Sequence, residues 1–505
     1  MRSAVQVDAL RSWHHDWRSL RVIVLGLGVT GFSVADTLVE LGAKVLVLAD
    51  RADDTRADLL AVLGAELRVA DLSAPDAGDA AAFNPELVIV SPGFAPSHPL
   101  VAGLVAAGLP VWGDVELAWR VRDKVTPAAE WLTVTGTNGK TTTVQLTTAM
   151  LLAAGSRAVA CGNVGLPVLD AIRDPEGYDA LVVELSSFQL NYASSLSPHS
   201  SVCLNVAADH LDWHGSAEAY SAAKAKIYER TRVACVFNRD DITTRAMVEN
   251  ADVVEGCRAI GFGLGLPGPS DIGIVEDIVC DRAFLDDRHT NALELATLGR
   301  LNAAGLGAPH MVANVLAASA LARSLGVPAA AIAGAIDAFH VDHHRTELIA
   351  TRDGVRFVDD SKATNPHAAD AAVASFDSVV WVLGGLLKGV GIDDIVARNS
   401  KRLRAAVVIG VERAEVLAAF ERHAPQLPLF EVETTDTEEV MPIAVRLAAA
   451  AARPGDAVVL APAAASMDQF KDYADRGRRF TEAVHDMLGD RPDDDQHPSP
   501  TASGG

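Results

Sequence analysis

The sequence predicts an α/β protein with mostly parallel sheets, organised in three blocks, and three observations lead there. Strand-like and helix-like patterns alternate almost throughout, the signature of successive βα units. Two glycine-rich turns, GLGVTG at 26–31 and GTNGKTT at 136–142, each follow an apolar strand and open a helix. At 505 residues the chain is also too long for a single hydrophobic core.

The first block opens with the apolar run at 21–25, then the glycine turn, a helix, and a second strand at 45–48 ending at Asp50. It continues through Leu87-Val-Ile-Val90 to Ser91-Pro92-Gly93, and a polar segment at 121–127 reads as a linker. The second block starts with the strand at 131–135, has further strands at 180–184, 201–205 and 233–237, and ends near Phe339. The third reads as five βα units, with strands near 355–358, 379–383, 405–409, 428–430 and 457–460. The closing DRPDDDQHPSPTASGG has the composition of a disordered tail.

Composition narrows the function. Apolar residues make up 49% and charged residues 22%, as in ordinary globular proteins. The 66 acidic residues against 43 basic ones give a formal charge of −23, which repels nucleic acid and anionic membranes. Five cysteines without a CxxC pair read as reduced thiols. The N-terminal RSWHHDWRSL lacks the apolar core of a signal peptide, so the expected location is cytoplasmic. The Ala-rich stretch 313–339 is broken by Arg323, Gly326 and Pro328 and reads as two helices, with no membrane insertion.

The strongest local signal is Thr135-Gly136-Thr137-Asn138-Gly139-Lys140-Thr141-Thr142. Glycines let backbone N–H groups close round phosphates, and the helix that follows adds its positive end. Lys140 can reach the terminal phosphates, and the Thr141 hydroxyl suits Mg²⁺. Glu184 ends the apolar strand LVVE, where a carboxylate is costly unless paired or bound to metal. Asp209, His210 and Asp212 follow another strand, at the edge where open α/β sheets bind ligands. Lys224, on the helix expected over 217–230, reads by itself as a solvated lysine. Taken alone, Gly26–Gly31 with Asp50 resembles a dinucleotide fingerprint; the same geometry also holds another nucleotide's diphosphate. In Asp360-Ser-Lys362-Ala-Thr364-Asn365-Pro366, capping explains Asn365 and Pro366 but not the three polar residues before them. Small-residue loops beside Lys388 and Ser466 suit an acidic small molecule.

In order and spacing, the runs GTNGKTT, VVELSSFQL, NVAADHLDWHG, AAKAKIYE, DDSKATNP and APAAASMDQFKDYADRG resemble the Mur ligase family over roughly residues 20 to 485. SSFQL, DSKATN and the SxDQFK ending are most similar to its D-glutamate-adding branch. The resemblance implies an N-terminal extension over 1–19 and a Rossmann-like domain for the UDP-substrate over 20–127. A central P-loop ATPase-like domain (128–340), a C-terminal Rossmann-like domain for the amino acid (341–488) and a disordered tail (489–505) follow.

The resemblance implies ATP-dependent ligation of D-glutamate to UDP-N-acetylmuramoyl-L-alanine through an acyl phosphate, in peptidoglycan precursor synthesis, by a monomer. Gly28, Val29, Thr30, Gly31, Asp50, Ser91, Pro92, Gly93, Asn163 and His210 would then meet the UDP-substrate. Gly136, Thr137, Asn138, Gly139, Lys140, Thr141, Thr142, Asn314, Arg345, Asp360 and Lys362 would meet ATP. Two Mg²⁺ ions would be held by Thr141, Glu184, His210 and Lys224, the lysine as a CO₂-derived carbamate. Lys140, Glu184, His210 and Lys224 form the implied catalytic set. D-glutamate would contact Thr364, Lys388, Ser466 and Tyr473. Departures from the pattern are Met311 where the family has Asn, Tyr473 for Phe, and His343-His-Arg345-Thr-Glu347 for a Pro- and Phe-containing stretch. A sibling ligase for another amino acid, a nucleotide-binding switch and an NAD-dependent dehydrogenase are the alternatives.

Overall fold

The computed structural model describes residues 3–74 and 77–489. The tail expected after Gly489 lies outside the described residues. Two compact units emerge: residues up to Ala208 together with Trp213–His340, and Asp209–Asp212 together with the chain from Val341 onward.

The first unit carries two sheets. In one, five parallel strands lie in the order Glu66–Val69, Lys44–Ala49, Arg21–Leu25, Leu87–Val90, Val111–Gly113. The order reverses beside Arg21–Leu25, and crevices for ligands form at such switch points. Continuous Val/Leu/Ile runs make the three central strands, because helices cover both faces of a parallel sheet, whereas the edge strand Glu66–Val69 has no buried residue. Residues 3–19 are built onto this block: Val7 and Trp17 are buried, and the buried Arg120 guanidinium donates to the carbonyls of Asp8 and Leu10. The expected linker is anchored too, since Asp123 accepts hydrogen bonds from Ser12 Oγ and the Trp13 N–H.

The other sheet has nine strands, with Glu130–Thr135 between Ala180–Glu184 and Ser200–Cys203. Ala158–Gly162 closes one edge, and Ala234–Asn238, Arg258–Phe262 and Asp271–Val275 extend the other in parallel. Ile278–Asp281 and Leu293–Thr297 then add an antiparallel end that alternation alone does not reveal. The helix Lys140–Ala153 packs against Pro309–Ser324 and Ala329–Ala338, the latter two being the pair read from the Ala-rich stretch. No helix among the described residues is long and apolar enough to cross a membrane.

The second unit holds a six-stranded sheet in the order Glu347–Arg352, Val355–Asp359, Ala457–Leu460, Val379–Gly384, Leu403–Ile409, Leu429–Glu431. Five of these strands are the expected parallel ones. The sixth, Glu347–Arg352, is an antiparallel edge strand with no fully buried residue, unlike its neighbour Val355–Asp359.

Candidate active site

Thr135 ends a buried strand, and the chain turns over Gly136 and Gly139 into the helix beginning at Lys140. Gly139 has φ +84°, and a Cβ there would lie 2.3 Å from the Asn314 Oδ1. The glycine therefore supplies both a left-handed turn and a close approach by Asn314. Asn205 clamps the loop: its carbonyl accepts from the Thr137 N–H and its side chain exchanges hydrogen bonds with the Asn138 backbone. Lys140 Nζ donates to the Gly136 and Thr137 carbonyls, at 2.9 and 3.0 Å. Lys224, whose helix read by itself suggests a solvated face but which the resemblance sets at the metal site, is only 2% exposed, and its Nζ also donates to the Gly136 carbonyl at 2.9 Å. Its helix ends at Ala225 and tightens into a 3₁₀ turn over Lys226–Tyr228. Two ammonium groups thus converge on one carbonyl beside a helix N-terminus, which concentrates positive potential where an anion would be held.

Glu184 is 2% exposed at the end of its strand. Asn163 Nδ2 donates to its Oε1 at 3.1 Å, whereas Oε2 is buried without a hydrogen-bond partner. A bare buried carboxylate oxygen is costly, and a hard cation is the partner that would satisfy it. The SSFQL run that follows is a capping box: Ser186 Oγ accepts from the Gln189 N–H, and Gln189 Oε1 accepts from the Ser186 N–H. Gln189 also donates through Nε2 to Asp114 Oδ2 at 3.0 Å, tying this helix to the first sheet's block. Asp114 Oδ1 is buried without a partner, and burial lifts this carboxyl to about 6 against the favourable bond from Gln189.

At the switch point of the first sheet, a Cβ on Gly31 would fall 2.0 Å from the Gly26 carbonyl, and one on Gly26 would fall 2.8 Å from Ser91 Oγ. That hydroxyl is itself buried and unpartnered. Gly28 and Val29 are exposed at the start of the helix Val29–Glu40, as a diphosphate cradle requires. Asp50 is exposed and its Oδ1 accepts from the Leu72 N–H.

Within the second unit, Asp209 is buried and Lys388 Nζ pairs with its Oδ1 at 2.7 Å. His210 Nε2 stands 3.6 Å from Asp209 Oδ2. Lys388 has φ +55°, in a turn whose preceding glycines cannot be replaced: a Cβ on Gly384 would meet the Ile409 carbonyl at 2.0 Å. Lys362 Nζ lies 3.6 Å over the Tyr473 ring, so the substituted tyrosine keeps an aromatic face for a cation. Asp360 accepts from the Thr346 N–H; burial and the neighbouring Asp359 raise its carboxyl to about 7, against the pull of Arg345. Thr364 is partly buried and Ser466 is buried. In the first unit, Met311 is buried, and its sulfur accepts weakly from Asn314 Nδ2.

Sequence reasoning passed over Arg476. It is fully buried and donates to Ser361 Oγ, the Ser361 carbonyl and the Ala464 carbonyl, joining the loop of Asp360 and Lys362 to the loop before Ser466. A signal was present: Arg476, Phe480, Ala483 and Val484 share the buried stripe of one helix, where a lone arginine needs partners. His344, paired with Asp359 at 2.6 Å, was passed over as well.

A phosphate loop, a second glycine cradle and a buried acidic strand end define a nucleotide-using α/β enzyme. Family models described as the MurD-like N-terminal domain, the Mur ligase middle domain and the Mur ligase glutamate ligase domain match residues 20–113, 134–322 and 344–464. The chain is 61% identical to the UDP-N-acetylmuramoylalanine–D-glutamate ligase of Leifsonia xyli, over 100% of this chain and 99% of that one. It is 50% identical to the ligase of the same name from Streptomyces avermitilis, over 94% and 99%. Among solved structures, the UDP-N-acetylmuramate-alanine ligase MurC of Thermotoga maritima shares the fold, with a TM-score of 0.55 at 19% identity over 93% of this chain and 100% of that one. The MurF ligase of the same organism, in complex with ADP, gives 0.53 at 19% over 94% and 96%. The chain belongs to the Mur ligase family. The dehydrogenase alternative is not favoured.

Proposed function

We propose that this chain joins D-glutamate to UDP-N-acetylmuramoyl-L-alanine at the expense of ATP, in the cytoplasm and as a monomer, as a step of peptidoglycan precursor synthesis. As a Mur ligase it is an ATP-dependent ligase. The observation that carries the substrate assignment is the end-to-end identity of 61% to a ligase named for D-glutamate.

The first domain (20–127) takes the UDP-substrate on Gly28, Val29, Thr30, Gly31 and Ser91 to Gly93, with Asp50 and Asn163 at its margins. The unpartnered Ser91 hydroxyl and the glycine cradle support that role. In the central domain (128–340) the loop from Gly136 to Thr142 binds the ATP phosphates, helped by Asn314. Lys140 leaves its two loop carbonyls and neutralises charge on the transferring phosphoryl group, which is what such transfer most needs. Thr141, Glu184, His210 and a carbamate on Lys224 would hold Mg²⁺; the bare Glu184 oxygen, the Thr141 hydroxyl and the carbamate oxygens fit that ion, and His210 would add a nitrogen. Bound there, Mg²⁺ would supply charge neutralisation for the phosphates.

Phosphorylation of the alanyl carboxylate gives an acyl phosphate. The D-glutamate amine attacks its carbonyl carbon, phosphate leaves, and the proton lost from the amine passes to the Asp209–His210 pair. Thr364, Lys388, Ser466 and Tyr473 of the C-terminal domain (341–488) grip the two carboxylates of D-glutamate, and Arg345, Asp360 and Lys362 serve ATP. Phosphate release with UDP-N-acetylmuramoyl-L-alanine and a panel of amino acids tests the reading. D-glutamate should give the fastest turnover; faster release with L-glutamate or L-alanine would overturn it.

A further inference from the structure

The nine-stranded sheet brings together two cysteines that the ligase reading does not use. Cys235 lies in the strand Ala234–Asn238 and is 2% exposed. Cys257 immediately precedes the adjacent parallel strand, where Cys235 pairs in register with Ala259. Their sulfurs are 3.7 Å apart although 22 residues separate them in sequence. Cys257 is partly exposed, on a turn closed by its own N–H bonding to the Val254 carbonyl. At Gly256, next to it, even an added Cβ would meet nothing within 4 Å, so a small oxidant has open access to this turn.

We propose that Cys235 and Cys257 form a reversible oxidation site, a dithiol that hydrogen peroxide closes to a disulfide. The two thiols divide the work as attacking and resolving groups. A hydrogen bond shared between the two sulfurs lowers the Cys257 thiol and raises that of Cys235. The other cysteines are poor competitors, since burial pushes Cys161 and Cys203 up to about 12 and also raises Cys280. The Cys257 thiolate attacks one peroxide oxygen; an S–O bond forms, the O–O bond breaks, and the departing hydroxide takes a proton to become water. The Cys235 sulfur then attacks the sulfenic sulfur, the S–O bond breaks, and a second water leaves with the Cys235 proton. Two thiols are oxidised and one peroxide is reduced to two waters. Closing the gap from 3.7 Å to a bond of about 2.05 Å draws the two sulfurs together, with Cys257 carried on a turn ahead of its strand.

The test uses the full chain. It is treated with hydrogen peroxide, alkylated with N-ethylmaleimide under denaturing conditions, digested and weighed. One peptide pair joining residues 235 and 257, two hydrogens lighter than the reduced pair, is expected, with three of the five cysteines alkylated. Dithiothreitol should return all five to the alkylated pool. Cys235→Ser should stop at a sulfenic acid on Cys257 that dimedone traps, and Cys257→Ser should leave Cys235 reduced. If wild-type Cys235 and Cys257 both remain alkylated after peroxide, or the disulfide joins other cysteines, the proposal is wrong. Because the wild-type mass alone decides, a variant that fails to fold does not rescue it.

Discussion

Replacing Glu184 by Gln separates a carboxylate that builds the fold from one that waits for a cation. In the folded chain this side chain makes one hydrogen bond, from Asn163 Nδ2 at 3.1 Å, and leaves Oε2 buried and bare. Weakening the charge-assisted bond from Asn163 costs up to about 1.5–3 kcal/mol, and replacing a buried charge by a neutral amide offsets that loss, although the amide NH₂ then stands unpaired where Oε2 did. Glutamine keeps an oxygen for Asn163, so the unliganded variant should melt in urea within about 1 kcal/mol of wild type. The catalytic effect should be far larger. Removing a group that stabilises developing charge costs about 10²–10³-fold in kcat, roughly 3–4 kcal/mol. Wild type should also gain about 2.7 kcal/mol of stability at a hundredfold excess of Mg²⁺ and a non-hydrolysable ATP analogue over their Kd, and the variant much less. Urea melts with and without those ligands, alongside phosphate release, measure all three quantities. If Glu184→Gln unfolds more than about 3 kcal/mol more easily without Mg²⁺, or turns over within fivefold of wild type, the reasoning fails.

Asp114 gives a pH test. Its carboxyl, raised to about 6 from 3.8, binds its proton more tightly in the folded chain than in the unfolded one. Its contribution is therefore fully present below about pH 4 and is lost as pH rises through 6, amounting to about 3 kcal/mol. Asp114→Asn removes that slope, so urea melts from pH 4 to 7 should show the variant gaining on wild type; a constant difference would contradict the burial argument. Lys388→Ala should raise the KM for D-glutamate far more than that for ATP, and equal effects would point to a folding defect. Lys224→Ala should be nearly inactive and partly restored by formate, with Lys224→Arg inactive because it cannot carry the carbamate; normal turnover by Lys224→Arg would remove the carbamate.

The two strand–glycine turn–helix units and the acidic strand end were legible because each is a local pattern, although the turn at 26–31 left open which nucleotide it holds. A glycine beside an apolar strand marks a turn whether or not the third dimension is known. Lys224 was not legible from its own helix, since its burial depends on the Gly136 carbonyl supplied from 88 residues away. The same holds for Gln189 and Asp114, for Arg476 and its two carbonyls, and for Trp17 under the first sheet. The antiparallel strands Ile278–Asp281 and Leu293–Thr297 are only four and five residues long, and runs so short do not announce a strand against the surrounding turns. The DSKATN run gave away Asn365 as a cap but not Asp359, whose partner His344 sits fifteen residues earlier on a left-handed turn.

In the proposed reaction the alanyl carboxylate is phosphorylated before D-glutamate attacks. That order is tested most directly by supplying UDP-N-acetylmuramoyl-L-alanine with ¹⁸O in that carboxylate and weighing both products. One labelled oxygen should appear in the released phosphate and one should remain in the new amide, with release dependent on D-glutamate. Phosphate free of label, or released at full rate without D-glutamate, would contradict the account.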